Sequence, residues 1–453
     1  MSSAIIDAII ELLRRSPATS AEIASYCGCD RSTVTRQLKM LETRFETRLE
    51  TGLENKLVTT GRARSTRYYL QRGAEAETAL YRVSEAGQAE HFGTLVAVMP
   101  HGYIVKTHSD GYERYYDDLP WWLQDLRPQG FLGRHLAKAL FKQGIVGTED
   151  IDYWQDQDIF QALLHAKGDS PGNLLLGTQS YQQWLQHEPA AVSVADFVQL
   201  ATDAMAGEVV GSSAGGEQPK FCAFVDGKHR LVKFTEPVTH VNGNANSQRW
   251  ADLLQAEHLA LTTLADAGIA ATQSQIIQQQ QRTFLSCERF DRVGTLGRKG
   301  LVSLRMAEME YVGKPAEWPV IAQHLLQGKH ISAEDAETIA VIWCFGRLIA
   351  NTDMHAGNLS FYYEGDGKLR LAPVYDMLPM AFAPLRSGAM ASSHALTITP
   401  VAAGKYWRQA YDMAEQFWAL LLVNAAISAE FRAIAQSMQL ELQAKKSLIE
   451  RMA

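Results

Sequence analysis

One spacing constrains this chain more than any other. Asp353 stands five residues before Asn358, and a hairpin pattern then leads on to a second acid, Asp376. Leu359 to Tyr363 reads as a strand, Glu364-Gly365-Asp366-Gly367 as a tight turn and Lys368 to Ala372 as a returning strand. Such a hairpin brings Asp376, in Pro373-Val374-Tyr375-Asp376-Met377, back beside Asn358. An acid that accepts a hydroxyl proton, followed by an amide and a second acid that hold a divalent metal, are the parts a phosphoryl-transfer site needs. Taken alone, the segment around Asp353 fits equally a solvated loop with chance acids. The helical pattern of Ile339 to Leu348, just upstream, would bury a support for Asp353.

With 453 residues the chain exceeds one ordinary core, so two or three domains are expected. No apolar run is long enough to span a bilayer. The N-terminus carries Asp7 and Glu11 within its apolar stretch and lacks a cleavage-like site, which argues against a signal peptide. Five scattered cysteines, an odd number, argue against a disulfide framework, so a reducing cytoplasm is the expected compartment and no membrane association is expected. Cys27-Gly28-Cys29 has no further ligand at metal spacing and reads as a turn. Charge is unevenly spread. Residues 1–72 hold twelve Lys and Arg against eight Asp and Glu, or +4, whereas the rest carries 31 against 42, or −11. The two ends therefore call for different partners.

The basic end has helix-turn-helix punctuation. Ser3 to Arg15 repeats isoleucine and leucine at helical spacing and stops before Pro17. Ser20 is a plausible N-cap for a second helix. Gly28-Cys29-Asp30 turns into a third helix, Ser32 to Leu41, in which Val34, Leu38 and Leu41 face inward. Arg31, Ser32, Thr33, Thr35, Arg36 and Lys39 are left outside, and short hydroxyls and arginines at a helix start suit major-groove and phosphate contacts. Leu57 to Thr60 and Ser65 to Leu70 then read as two strands around a turn bearing Arg62 and Arg64. About 70 residues thus resemble the winged helix-turn-helix domains of bacterial regulators, with a basic wing for the backbone or minor groove. Protein contacts are the alternative use of such a domain. One copy on a duplex binds weakly, so a homodimer or a second contact is expected.

Residues 73–200 are less readable. His91 to Met99 and Gly102 to Lys106 read as paired strands, and Trp121-Trp122 as a packing anchor between domains. Further on, Val209-Val210 runs into the small-residue loop Gly211 to Gly216, whose backbone N–H groups could approach phosphate oxygens. Phe221 to Val225 and His229 to Phe234 form a hairpin pattern. Lys233 falls inside its second strand, where an ammonium must be paired, and Glu257 on the next helix is the candidate partner. Thr283 to Arg292 leaves a strand for a polar segment in the order expected of an adenine-binding hinge. Arg289 and Arg292, taken alone, read as ordinary surface charges.

Read together, five blocks resemble the HipA-type serine/threonine kinases, whose founding members are toxins of bacterial toxin-antitoxin modules. They are Ser213-Ala214-Gly215-Gly216-Glu217-Gln218-Pro219-Lys220, Leu231 to Phe234, Cys287 to Arg292, Asn351 to Asn358, and Val374 to Asp376. The resemblance implies an α+β architecture: the N-terminal winged helix (1–72), a HipA-like N-terminal subdomain and connector (73–200), a nucleotide-binding lobe (201–295) and a helical catalytic lobe (296–453). It implies ATP and Mg²⁺ as cofactors, Asp353 as catalytic base, and Asn358 and Asp376 as metal ligands. Lys233, Glu288, Phe290, His355, Ser213, Gly215 and Gly216 would meet the nucleotide. It also implies autophosphorylation of the Gly/Ser loop, which would expel ATP by charge and bulk. Finally it implies a growth-inhibiting toxin acting on a translation-related protein, such as an aminoacyl-tRNA synthetase.

Two departures from that pattern matter. The loop aligns either Ser212 or Ser213 with the phosphorylated serine, so both are candidates. The winged helix is fused, whereas the family's kinase usually relies on a separate DNA-binding antitoxin; regulation built into one chain is one consequence, and the need for a separate antitoxin stays open. Two other activities compete. Asp353-x-His355-x-x-Asn358 also resembles the catalytic loop of small-molecule phosphotransferases, and a DNA-binding regulator that merely senses nucleotide would need the same lobes.

Overall fold

In the computed structural model, the described residues are 2–48, 56–73, 77–109, 111–165, 169–207, 218–238, 245–385 and 387–452. The first of these fold around a core of Ile9, Leu13, Ile23, Val34, Leu38, Leu41 and Leu70. Three helices, Ser2–Arg15, Ser20–Cys27 and Arg31–Arg48, pack beside a small antiparallel sheet. In it Arg67–Leu70 lies between Ala18–Thr19 and Leu57–Thr60, which is winged helix-turn-helix topology. The second helix is capped one residue earlier than expected. Thr19, not Ser20, is its N-cap: the Glu22 N–H donates to Thr19 Oγ1 (3.3 Å), and the Glu22 carboxylate accepts from the Thr19 N–H (2.6 Å). That reciprocal pair satisfies two otherwise orphaned donors, so Ser20 is drawn into the first turn. Gly28 ends the helix at φ 62°, in the left-handed conformation a glycine adopts without steric cost.

The wing does not stand free of the rest. Val58 and Tyr69 pack with Val96, Val98 and Ile104 of the next domain, and the Met99 N–H donates to Leu70 O (2.8 Å). That domain is built on an antiparallel five-stranded sheet in the order Glu113–Tyr116, Tyr103–Thr107, Ala89–Ala97, Glu77–Val83, Leu174–Leu176. Helices Gly130–Lys142, Asp156–Leu164 and Gly177–Leu185 accompany it. Trp121 and Trp122 are both buried, and the Trp121 ring lies 5.1 Å from Tyr363 and 5.6 Å from Tyr311 in the last domain.

The next part of the chain has a four-stranded antiparallel sheet, Ser274–Gln279, Arg282–Glu288, Lys228–Phe234, Lys220–Val225. Strand alternation divides its faces. Phe221, Val232, Phe234 and Phe284 join Phe197 in one apolar cluster. Lys220 and Lys233, partners in register, point to the other side, toward the long helix Ala245–Asp266. The final lobe is helical: Trp318–Gln327, Ala333–Leu348, Gly404–Val423 and Ala429–Arg451. Its hairpin, Ser360–Tyr363 with Leu369–Leu371, is one residue shorter than the sequence pattern at the start of the first strand and at both ends of the second, and Leu301–Ser303 pairs on its other edge. No helix among the described residues is long and apolar enough to cross a membrane.

Candidate phosphoryl-transfer site

Lys233 is the centre of the charge arrangement. Only 6% exposed, it donates to both carboxylate oxygens of Glu257, at 2.7 and 2.8 Å, and to Asp376 Oδ1 at 2.5 Å. Burial alone would strip its proton, but the Asp376 and Glu257 carboxylates outweigh burial and hold the ammonium charged. Asp376 shows the complementary balance: burial pushes its pKa up, and Lys233 and Lys220 more than offset this, leaving it below the usual carboxylate range. Asp376 sits at φ 55°, a conformation that costs a non-glycine residue energy and is kept where the surroundings over-determine it.

Lys220 is the residue that sequence reasoning quoted without giving it a role. It is 2% exposed, opposite Lys233 in strand register, and burial together with the Lys233 charge pushes its pKa down to about 8. Two buried lysines, buried Glu257 and part-exposed Asp376 therefore share one face. The signal was available: a lysine opens the strand directly after the Gly/Ser loop, on the same face as Lys233.

Asp353 lies on a loop fixed from both sides. Upstream, buried Asn351 accepts the Asp353 N–H at its Oδ1 (3.0 Å). Downstream, Asn358 Nδ2 donates to Asp353 O (2.8 Å), so the amide oxygen is the end left for a metal. His355 Nδ1 accepts the Gly357 N–H (3.0 Å), and its Nε2 stands 3.9 Å from Asp353 Oδ1. Burial raises the Asp353 pKa and the Asp376 charge adds to it, against the opposing influence of His355 and Asn358. Tyr375, next to Asp376, donates to Gly357 O (3.0 Å) and shares a hydrogen bond with Ser360 Oγ (2.8 Å). The hairpin thus ties the Asp376 segment to the loop that carries Asp353.

The remaining nucleotide candidates divide. Phe290 is brought to this cluster, its ring 5.7 Å from Tyr375 and 6.3 Å from Tyr362. The Glu288 carboxylate instead takes Lys228 Nζ at 2.7 Å on the neighbouring strand, part-exposed. Ser212, Ser213, Gly215 and Gly216 lie outside the described residues. Arg289 and Arg292 correct the sequence expectation, because both are buried side chains. Arg289 meets Asp291 (3.0 Å) and Asp169 (2.5 Å), and Arg292 meets the same two acids at 2.6 and 3.2 Å. Asp169 belongs to the preceding domain, so this pairing fastens the segment Arg289 to Arg292 to it. Nothing in the local sequence announces a partner 120 residues away.

At the other end, Arg31, Ser32, Thr35, Arg36, Lys39 and Arg62 are exposed and Thr33 is half-buried. The Arg64 side chain lies outside the described residues. Asp30 caps the helix that carries the first five of these, accepting the Thr33 N–H (2.9 Å) and both the Ser32 and Thr33 hydroxyls. These hydrogen bonds hold its carboxyl well below the usual range. Two of the hydroxyls offered for base contact are thereby engaged within the helix start.

A two-lobed arrangement, with a lysine–glutamate pair reaching an acid behind a catalytic-type loop, defines the class, and the comparisons agree with it. Residues 212–452 match the HipA-like C-terminal domain family and residues 74–185 match the middle domain of YjjJ-like toxins. The chain belongs to the HipA-like family that includes Toxin YjjJ. Among its relatives, Toxin YjjJ of Escherichia coli (strain K12) is 38% identical over 462 residues, covering 98% of this chain and 99% of the relative. In fold the chain resembles a solved chain from the Shewanella oneidensis MR-1 complex of HipA, HipB and operator DNA. The TM-score is 0.54 at 13% identity, over 82% of this chain and 98% of that one.

Proposed function

We propose that the protein is an ATP- and Mg²⁺-dependent serine/threonine protein kinase of HipA type that acts as a growth-inhibiting toxin. The observation that carries this reading is the bridge from Lys233 to both Glu257 and Asp376, beside a loop that holds Asp353. The donor set suits the cofactors: a charged lysine for phosphate oxygens, and the Asp376 carboxylate with the Asn358 amide oxygen for a hard divalent cation. When bound, Mg²⁺ supplies charge neutralisation to the phosphates. Asp353 accepts the proton of the acceptor hydroxyl, and its raised pKa makes it a stronger base than an ordinary aspartate. Lys233 orients the phosphates, and Glu257 keeps Lys233 extended. Glu288 and Phe290 are proposed to meet the adenine, and His355 the nucleotide beside the loop that carries Asp353.

The acceptors under this reading are a translation-related protein, such as an aminoacyl-tRNA synthetase, and Ser212 or Ser213 of the protein's own Gly/Ser loop. Division of the chain at about residues 72, 200 and 295 fits these roles. Residues 1–72 are proposed to bind DNA through Arg31, Ser32, Thr33, Thr35, Arg36, Lys39, Arg62 and Arg64, as a homodimer or together with a separate antitoxin, and the site of action is the cytoplasm. The Shewanella neighbour was solved with HipB and operator DNA, which is consistent with DNA as a partner. Incubation of the pure chain with Mg²⁺-ATP, followed by mass spectrometry, tests the central part. Phosphate is expected on Ser212 or Ser213 in the wild type and not in Asp353→Ala. No self-labelling, or equal labelling of both proteins, would overturn it.

A further inference from the structure

The helix that carries Glu257 is also pinned to the catalytic lobe, through a guanidinium that the phosphoryl-transfer reading leaves without a role. Arg249 lies about two turns before Glu257 on Ala245–Asp266 and is 3% exposed. Its Nη1 donates to Phe382 O (3.0 Å) and to Ala391 O (3.1 Å), and its Nη2 meets Glu430 at 2.7 Å. The guanidinium also lies 5.5 Å from the Phe431 ring centroid. Phe382 and Ala391 both belong to the stretch that leaves Asp376. Next to Phe382, the Ala381 N–H donates to Ala350 O (3.0 Å), immediately before the catalytic-type loop. One side chain therefore holds two points of this stretch against the Glu257 helix.

Other contacts on the same helix work in parallel. Asp252 accepts the Ser428 N–H (2.8 Å) and hydroxyl (2.6 Å) at the start of Ala429–Arg451, and Gln255 faces Asn424 at 3.5 Å. A planar guanidinium presents five donors in a fixed fork and so can serve two carbonyls and a carboxylate at once; an ammonium offers a point charge without that geometry.

We propose that Arg249 is a positioning residue for phosphoryl transfer. It joins the backbone after Asp376 to the Glu257 helix as one unit, so that the Lys233–Glu257 pair and the acceptor side of the catalytic loop are set together. The inference rests on the kinase reading above for its catalytic consequence, but its structural half can be measured without any activity.

The test compares the full-length wild type with Arg249→Met, Arg249→Lys and Glu430→Gln. Hydrogen exchange is read at Leu385 and Gly388, whose N–H groups bond to Ala389 O (2.9 Å) and Leu385 O (2.8 Å) within the clamped stretch. Loss of the fork should speed exchange there about tenfold or more in Arg249→Met. Mg²⁺-dependent transfer should slow about tenfold, while the Kd for Mg²⁺-ATP stays within about threefold of wild type. Arg249→Lys, which retains the buried charge, should show the same pattern if Arg249→Met does not fold. Glu430→Gln, which spares both carbonyl bonds, should stay near wild type. Unchanged exchange in both Arg249 variants overturns the clamp, and a Kd that worsens as much as the transfer rate overturns the positioning role. A wild type with no transfer activity removes the kinase reading and the catalytic half of this proposal, and exchange alone then decides whether Arg249 holds the stretch.

Discussion

In the winged helix Arg31, Arg36, Lys39 and Arg62 are exposed, whereas in the four-stranded sheet Lys220 and Lys233 are 2% and 6% exposed and face Glu257 and Asp376. The same kind of residue does different physical work in the two regions. A cation held in water costs nothing to keep and interacts weakly at any one contact, but several together act over a Debye length and yield to salt. A buried cation is costly unless paired, and once paired it fixes geometry and is screened little. The first arrangement suits a long polyanion met from solution; the second suits a few atoms that must be placed within fractions of an ångström.

The largest effect that would break this contrast is expected at the buried pair. Lys233→Met removes the ammonium hydrogen-bonded to Glu257, 1% exposed, and leaves only Lys220 nearby, so stability should fall by about 3 kcal/mol. Mg²⁺-ATP-dependent transfer should drop by about two orders of magnitude or more. Urea unfolding and transfer rates check this, and both losses should change little between low and high salt. An exposed pair would behave in the opposite way.

Next in size comes the basic end. Replacing Arg36 and Arg62 together by Ala should weaken binding to duplex DNA about tenfold or more at low salt. It should also flatten the plot of log affinity against log salt by roughly two units, since each phosphate that is no longer neutralised removes about 0.9 from the slope. Fluorescence anisotropy across a salt series measures both. Affinity that does not depend on salt would assign the winged helix to protein contacts instead.

The smallest effects are in pH dependence, and their signs differ. Because the Asp353 pKa is raised, the acid limb of the transfer rate should lie above that of an ordinary aspartate, with activity lost as pH falls and the carboxylate takes a proton. Lys220, with a pKa of about 8, is charged below that pH and neutral above it. If its ammonium helps hold phosphate, the KM for ATP should rise a few-fold above pH 8, and Lys220→Met should remove that alkaline limb. A KM that is flat across pH 8 in the wild type would exclude Lys220 from the nucleotide site.

The legible parts of this chain share a cause. The Asp353–Asn358 spacing, the hairpin behind it, Lys233 within a strand and Glu257 on the following helix are each written in a short window, where strand alternation, turn residues and helical period leave few arrangements. Ser20 missed the cap by one position because Thr19 and Glu22 form a better reciprocal pair, a competition between neighbours that period alone does not resolve. Arg289 and Arg292 could not be read because their acids include Asp169, which comes alongside only after the preceding domain has folded. Arg249 was missed for the same reason: its acceptors, Phe382 O and Ala391 O, are backbone groups with no sequence signature. The helices over 130–185 escaped because their pairing with the five-stranded sheet is long-range.

The central claim is that Asp353 and the Lys233–Glu257–Asp376 cluster form one Mg²⁺-ATP transfer site. Single-turnover transfer of labelled γ-phosphate, measured beside ATP binding in the wild type and in Asp353→Asn, tests it most directly. The expected result is ATP affinity within about threefold of wild type, with transfer slowed by about 10²–10⁴ and dependent on Mg²⁺ in both proteins. Transfer that proceeds equally in Asp353→Asn, or without a divalent metal, would contradict it.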